Sequence, residues 1–74
     1  MNQPNDATKR AILEATIQQL ENTAFQQNSL AKAYVEAGLT EEGKAQAGAA
    51  SKNEMAALAL QRQLDAIPAD QTPA

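Results

Sequence analysis

Apolar side chains recur at alternating spacings of three and four residues through most of the chain, which predicts α-helix. Two such stretches, about 7–37 and 41–67, are separated by the tetrapeptide Ala37-Gly38-Leu39-Thr40. We call the residues at these spacings the seam of a stretch. The seam of the first stretch consists of Leu13, Ile17, Leu20, Ala24, Gln27, Ala31 and Tyr34. The seam of the second consists of Gln46, Ala50, Asn53, Ala57, Leu60, Leu64 and Ile67. The pattern predicts an all-α fold of two helices, each with one inward-facing edge.

The tetrapeptide between the helices has the composition of a tight turn. Gly38 suits the left-handed conformation that ends a helix, and Leu39 would follow it in a Schellman cap that brings Leu39 against Tyr34. Thr40 is a suitable N-cap for the second helix, and two glutamates follow it where the helix dipole favours negative charge. We therefore predict an antiparallel two-helix hairpin; the alternative is one long helix with a flexible glycine.

The two ends of the hairpin are also marked in the sequence. Asn5 or Asp6 can cap the first helix, and Pro68 stops the second. Residues 1–5 and 68–74 contain prolines without periodicity, so we expect flexible tails around a single unit at 6–67.

Folding the chain at the turn pairs large side chains at the open end and small ones near the turn. The expected pairs are Leu13 with Leu64, Ile17 with Leu60, Leu20 with Ala57, Ala24 with Asn53, and Tyr34 with Gly43. Glycine within a helix costs about 1 kcal/mol relative to alanine, so Gly43 and Gly48 indicate close helix approach. The alternative is that they mark a frayed first turn.

The chain contains few large apolar residues for its length. The 74 residues include 17 alanines but only seven leucines, three isoleucines, one valine and one phenylalanine. Six large apolar residues lie off the seams and would be exposed in a monomer: Ile12, Phe25, Leu30, Val35, Met55 and Leu58. We therefore expect the hairpin to self-associate into a helical bundle, as a homodimer or larger, with a seam of Leu13, Ile17, Leu20, Ala24, Asn53, Ala57, Leu60 and Leu64.

Two amides interrupt the apolar seams near their middle. Gln27 and Asn53 are expected to form a polar layer that fixes register and copy number at some cost in stability. The alternative is that they line a polar ligand site between protomers together with Lys52.

Residue counts exclude most catalytic chemistry. The chain has no cysteine and no histidine, so thiolate metal sites, cysteine nucleophiles and histidine-based catalysis are excluded. Glu14 and Glu21 share a helix face, but without histidine they cannot build a carboxylate-bridged di-iron site. Helical spacing makes Arg10–Glu14, Lys32–Glu36, Glu41–Lys44 and Arg62–Asp65 ordinary surface pairs. We expect no enzyme activity, no metal and no cofactor.

Charge and hydropathy narrow the possible partners and location. A net charge of -3 and only two aromatic residues argue against nucleic-acid binding. No apolar run is long enough to cross a bilayer, and the first ten residues lack the apolar core of a signal peptide. We expect a cytoplasmic protein that makes no membrane contact.

These observations favour a protein that acts by binding. We expect an oligomeric inhibitor or adaptor directed at a host protein, with Phe25, Leu30 and Tyr34 as anchors. The small size and the lack of catalytic groups are typical of accessory proteins encoded by phages or other mobile elements. In architecture alone, such a hairpin is similar to phage proteins that sequester cyclic oligonucleotides. In such a protein, Tyr34 with Lys32 or Lys44 near the turn would hold the base and phosphate of a small nucleotide ligand at a subunit interface. A second alternative is RNA binding, as in plasmid regulators shaped as hairpin dimers.

Overall fold

A computed structural model describes residues 5–68 and contains two antiparallel helices. Helix α1 spans Asp6–Glu36 and helix α2 spans Thr40–Ala66. Asn5 caps α1, because its side-chain oxygen accepts a hydrogen bond from the backbone N–H of Thr8 at 2.8 Å. The predicted all-α hairpin is confirmed, with helix boundaries within one residue of those expected. The predicted tails lie largely outside the described residues.

The reversal between the helices has the hydrogen bonds of a Schellman motif. Gly38 has φ 87°, which is in the left-handed region that glycine adopts without steric cost. The N–H of Leu39 donates to the carbonyl of Tyr34 at 2.8 Å, and the N–H of Gly38 donates to the carbonyl of Val35 at 3.0 Å. The alternative of one continuous helix is therefore wrong.

The prediction that Thr40 caps α2 is also wrong. Helix α2 already includes Thr40, and the N-cap position belongs to Leu39, which makes no side-chain capping bond. The tight turn leaves no room for an additional cap residue, because the carbonyl of Leu39 itself accepts the first helical hydrogen bond, from Gly43 at 3.0 Å. The Leu39 side chain remains 45% exposed.

The contact between the helices is narrow and consists mainly of alanine. The buried apolar residues are Ile17, Ala24, Ala31, Ala50 and Ala57. Ile17 is the single large side chain among them, so small side chains allow close helix approach but remove little apolar surface from water. The hairpin has one thin layer of packing and no second layer.

Gly43 is the point of closest approach near the turn. It is buried, and a Cβ placed on it would lie 2.6 Å from Cγ2 of Val35 and 3.0 Å from the carbonyl oxygen of Ala31. The expected partner, Tyr34, is therefore replaced by Val35 and Ala31 as the nearest contact. The physical reason is that the absence of a side chain lets the α1 backbone itself approach.

Gly48 does not share this role. It is exposed, and a Cβ placed on it would have no neighbour within 4 Å. Both glycines lie inside continuous helix, so the frayed first turn considered above is also wrong. Close approach explains Gly43 alone, and nothing in the structure explains Gly48.

Candidate binding surfaces of the hairpin

The seam residues predicted from the sequence lie between the two helices. Ile17, Ala24 and Ala57 are buried. The others of the expected bundle seam are half-buried: Leu13, Leu20, Asn53, Leu60 and Leu64. These residues form the contact between α1 and α2, and the half-buried ones among them remain partly accessible to another molecule. Their predicted role in a larger bundle stays a prediction.

Gln27 and Asn53 are joined across the seam. Nδ2 of Asn53 donates to Oε1 of Gln27 at 2.7 Å, and both side chains are partly buried. The sequence placed Asn53 opposite Ala24, but the structure pairs it with Gln27, because a partly buried amide is stabilised by a hydrogen-bonding partner. Within residues 5–68 no fully buried side-chain polar atom lacks a partner. The alternative role of this layer as a ligand site between protomers stays a prediction.

We expect the substitution Asn53→Ala to lower the free energy of unfolding by about 1 kcal/mol, because it leaves the Gln27 amide partly buried without its partner. Urea unfolding followed by circular dichroism at fixed protein concentration measures this change. The matched control is Asn22→Ala, which removes an exposed hydrogen bond to Gln18 and should change stability by less than about 0.5 kcal/mol. An equal effect at both positions would contradict a stabilising role for the polar layer.

The large apolar residues off the seam are all exposed. Phe25 is 72% exposed and Met55 is 69% exposed; the others are Ile12, Leu30, Val35, Leu39 and Leu58. Six of the seven are those that the sequence pattern places outside the seam, and Leu39 is the addition. The hairpin therefore exposes more large apolar side chains than it buries.

One flank of the hairpin contains a groove that includes the most exposed of these side chains. The groove has a volume of about 330 Å³. We name it the acidic groove, and its lining residues are Glu21, Ala24, Phe25, Asn28, Glu54, Ala57, Leu58 and Gln61. Two carboxylates and no lysine or arginine line it, so an apolar strip is combined with negative charge.

The opposite flank is less charged. A depression of about 300 Å³ near the open end is lined by Lys9, Ile12, Leu13, Gln63 and Ile67. Ile12 and Leu30 are a whole number of 3.6-residue turns apart on α1, so both lie on this flank. We name the surface that contains Ile12 and Leu30 the neutral face, since no carboxylate lines its depression and Lys9 is the one charged residue of that lining.

The anchor residues predicted from the sequence are divided between these surfaces. Phe25 lies in the acidic groove, and Leu30 lies roughly 140° around the helix from it, on the neutral face. Tyr34 is half-buried beside the turn. Phe25 therefore lies on a different surface from Leu30, and the use of these residues as anchors stays a prediction.

The basic residues proposed as ligand contacts are exposed and dispersed. Lys32, Lys44 and Lys52 all lie at the surface, and Lys44 forms an ion pair with Glu41 at 3.8 Å. Neither the acidic groove nor the depression near Ile12 includes Tyr34 or any of these lysines. A site that these residues form between copies of the chain stays a prediction.

Among the described residues, the Glu41–Lys44 pair is the one predicted ion pair that lies within 4.0 Å. Arg10 instead donates to the carbonyl oxygen of Pro68 at 2.6 Å and so joins the two ends of the hairpin. Asp65 accepts a hydrogen bond from Gln61 at 3.0 Å, in place of the expected contact with Arg62.

Two further observations concern metal and membrane sites. Residues 5–68 contain no group of three acidic, cysteine or histidine side chains placed to bind a metal ion. In the same part of the chain, neither helix combines the length and apolar character that crossing a bilayer requires.

No protein-family model, curated protein or solved structure matches this chain. Its function must therefore be inferred from the geometry and chemistry of the acidic groove and the neutral face.

Proposed function

We propose that this chain is a non-enzymatic interaction protein that acts as a self-associated helical hairpin and binds another protein as an inhibitor or adaptor. The observation that supports the proposal is that more large apolar residues are exposed than are buried. Seven are exposed, whereas Ile17 is the single large residue in the core. Covering those side chains with other chains removes them from water, and fully burying each is worth about 1.5–3 kcal/mol.

The neutral face is the better candidate for the contact between copies. A two-fold symmetric contact places the same surface of each copy against the other, so charges near its centre meet like charges. The neutral face exposes Ile12 and Leu30 and has Lys9 as the charged residue of its depression, whereas the acidic groove presents Glu21 and Glu54. Pairing through the neutral face therefore buries apolar surface without bringing carboxylates together.

Self-association predicts a solution mass above that of one 7.8 kDa chain and a melting temperature that rises with protein concentration. We expect the double variant Ile12→Lys and Leu30→Lys to shift the mass to 7.8 kDa, because it places four lysines in the symmetric contact. Light scattering coupled to size exclusion measures both proteins.

The matched control for this test is Glu14→Lys with Gln18→Lys, which places two exposed lysines on α1 outside the neutral face. A mass of 7.8 kDa for the natural sequence, with a melting temperature independent of concentration, would contradict self-association. A loss of mass in the control variant as large as in the Ile12 and Leu30 variant would contradict the choice of surface.

A further inference from the structure

The acidic groove has the cross-section of a docking site for a helix. Its floor is formed by Ala24 and Ala57, whose side chains are short and almost fully buried. Its edges include Phe25 and Leu58, which are 72% and 54% exposed. Short side chains between two taller ones form a trough, and large side chains of a third helix can enter such a trough as a ridge enters a groove.

We propose that the acidic groove binds an amphipathic helix of another protein that has an apolar face flanked by lysine or arginine. This inference deepens the proposed function and rests on it, since it names the chemistry of the protein partner. Helices that dock in this way use apolar side chains at spacings of three, four and seven residues.

The charge of the groove favours a basic partner. Glu21 belongs to α1 and Glu54 to α2, so the apolar strip has a carboxylate from each helix and no basic residue in its lining. A partner with cations on both sides of its apolar face would meet an acidic residue on each helix. Complementary charge of this kind increases the association rate and disfavours acidic competitors.

Residues beyond the groove extend this charge toward the open end of the hairpin. Glu14 is one heptad before Glu21 on α1 and so shares its face, while Asp65 is hydrogen-bonded to Gln61 of the groove lining. Arg10 and Lys32 are basic residues of the same flank of α1, since Arg10 is five 3.6-residue turns before Asn28 and Lys32 is one turn beyond it. The negative charge that a partner meets is therefore concentrated at Glu21 and Glu54 of the groove lining.

The same carboxylates argue against a second copy of this chain as the occupant. A symmetric contact through the groove would gather Glu21 and Glu54 of both copies around one axis, and like charges at such a contact are unfavourable. An anionic membrane surface or a nucleic acid would meet the same repulsion.

The test uses the full chain and a fluorescently labelled synthetic peptide of about 18 residues, which is five helical turns. The peptide contains leucine at helical spacings of three and four residues, with lysine at the flanking positions. A second peptide has glutamate in place of every lysine. We expect fluorescence anisotropy to show binding of the lysine peptide, weakened by added salt, and at least tenfold weaker binding of the glutamate peptide.

Variants of the groove assign the binding to its residues. We expect Phe25→Ala to weaken binding of the lysine peptide about tenfold, because exposed aromatic side chains dominate such contacts. We expect Glu21→Gln with Glu54→Gln to weaken it about fivefold, as two exposed charge pairs are lost. The matched controls are Met55→Ala, a large apolar residue that is 69% exposed outside both surfaces, and Glu36→Gln with Glu42→Gln; they remove similar groups outside the groove and should leave binding within about twofold.

Several results would overturn the inference. Equal affinity for the two peptides would exclude charge recognition, and unchanged binding to the Phe25 variant would exclude the groove. Light scattering on the same preparations separates this inference from self-association. If Phe25→Ala reduced the mass to that of one chain while peptide binding was retained, the groove would be the contact between copies and the inference would be wrong. If the natural protein were a monomer and still bound the lysine peptide through Phe25 and the two glutamates, the inference would stand without self-association.

Discussion

Replacing Ile17 with alanine is expected to lower the free energy of unfolding by about 2–4 kcal/mol, the largest effect of any single truncation in this chain. Ile17 is 7% exposed and is the single large side chain in a core otherwise made of alanine. Its loss removes apolar burial and leaves a cavity in a layer of packing that has no second layer behind it. Urea unfolding followed by helical circular dichroism, at one fixed protein concentration, measures the change.

The control for Ile17 is the same substitution at Ile12, which is 55% exposed. At low protein concentration, where contacts between copies are minimised, Ile12→Ala should cost less than about 1 kcal/mol. If the two variants unfolded at the same urea concentration under these conditions, the core would not be centred on Ile17.

Adding a methyl group at Gly43 is expected to destabilise the hairpin by about 1–3 kcal/mol, even though alanine is the better helix former. The new Cβ would lie 2.6 Å from Cγ2 of Val35 and 3.0 Å from the carbonyl oxygen of Ala31. Valine in a helix has one strongly preferred rotamer and the carbonyl belongs to the backbone, so the helices must separate to relieve the contact. Thermal and urea unfolding of Gly43→Ala measure the cost.

Gly48→Ala is the matched control, because it makes the same chemical change where no atom lies within 4 Å. Helix propensity then acts alone, and we expect stability to rise by about 0.5–1 kcal/mol. Adding Val35→Ala to the Gly43 variant should restore part of the loss, since it removes the nearest contact but leaves the Ala31 carbonyl. A stabilising effect of Gly43→Ala by itself would contradict the close approach of the helices.

The sequence predicts the hairpin well because its determinants are local or periodic. Gly38 followed by Leu39 predicts the Schellman turn, and the alternation of three- and four-residue spacings identifies which edge of each helix faces the other. The same periodicity correctly separates the exposed large apolar residues from the seam. These features depend on a few neighbouring residues and on helical geometry.

Details that depend on the register between the helices could not be predicted in this way. The sequence groups Gln27 and Asn53 in one polar layer, but its pairing sets Asn53 directly opposite Ala24, whereas Asn53 donates a hydrogen bond to Gln27. The same pairing sets Gly43 opposite Tyr34, whereas the nearest atoms to Gly43 belong to Val35 and Ala31. Alanine side chains are too small to interdigitate strongly, so a seam rich in alanine does not by itself define the register between the helices. The register is set instead by the hydrogen bond between two amides and by the close approach of two backbones. The acidic groove was missed because its floor comes from seam alanines and its edges from residues on two helices.

The Gly38 turn also determines the order in which contacts can form as the chain folds. Val35 and Gly43 are close in sequence, so bringing them together closes a short loop at low entropic cost. The bond between Arg10 and Pro68 joins residues 58 positions apart and requires both helices to be in place. The hairpin should therefore close progressively from its turn toward its open end, and it should open first at the open end. Ile17, which is nearer the open end than the turn, should form its contacts late in folding and lose them early in unfolding.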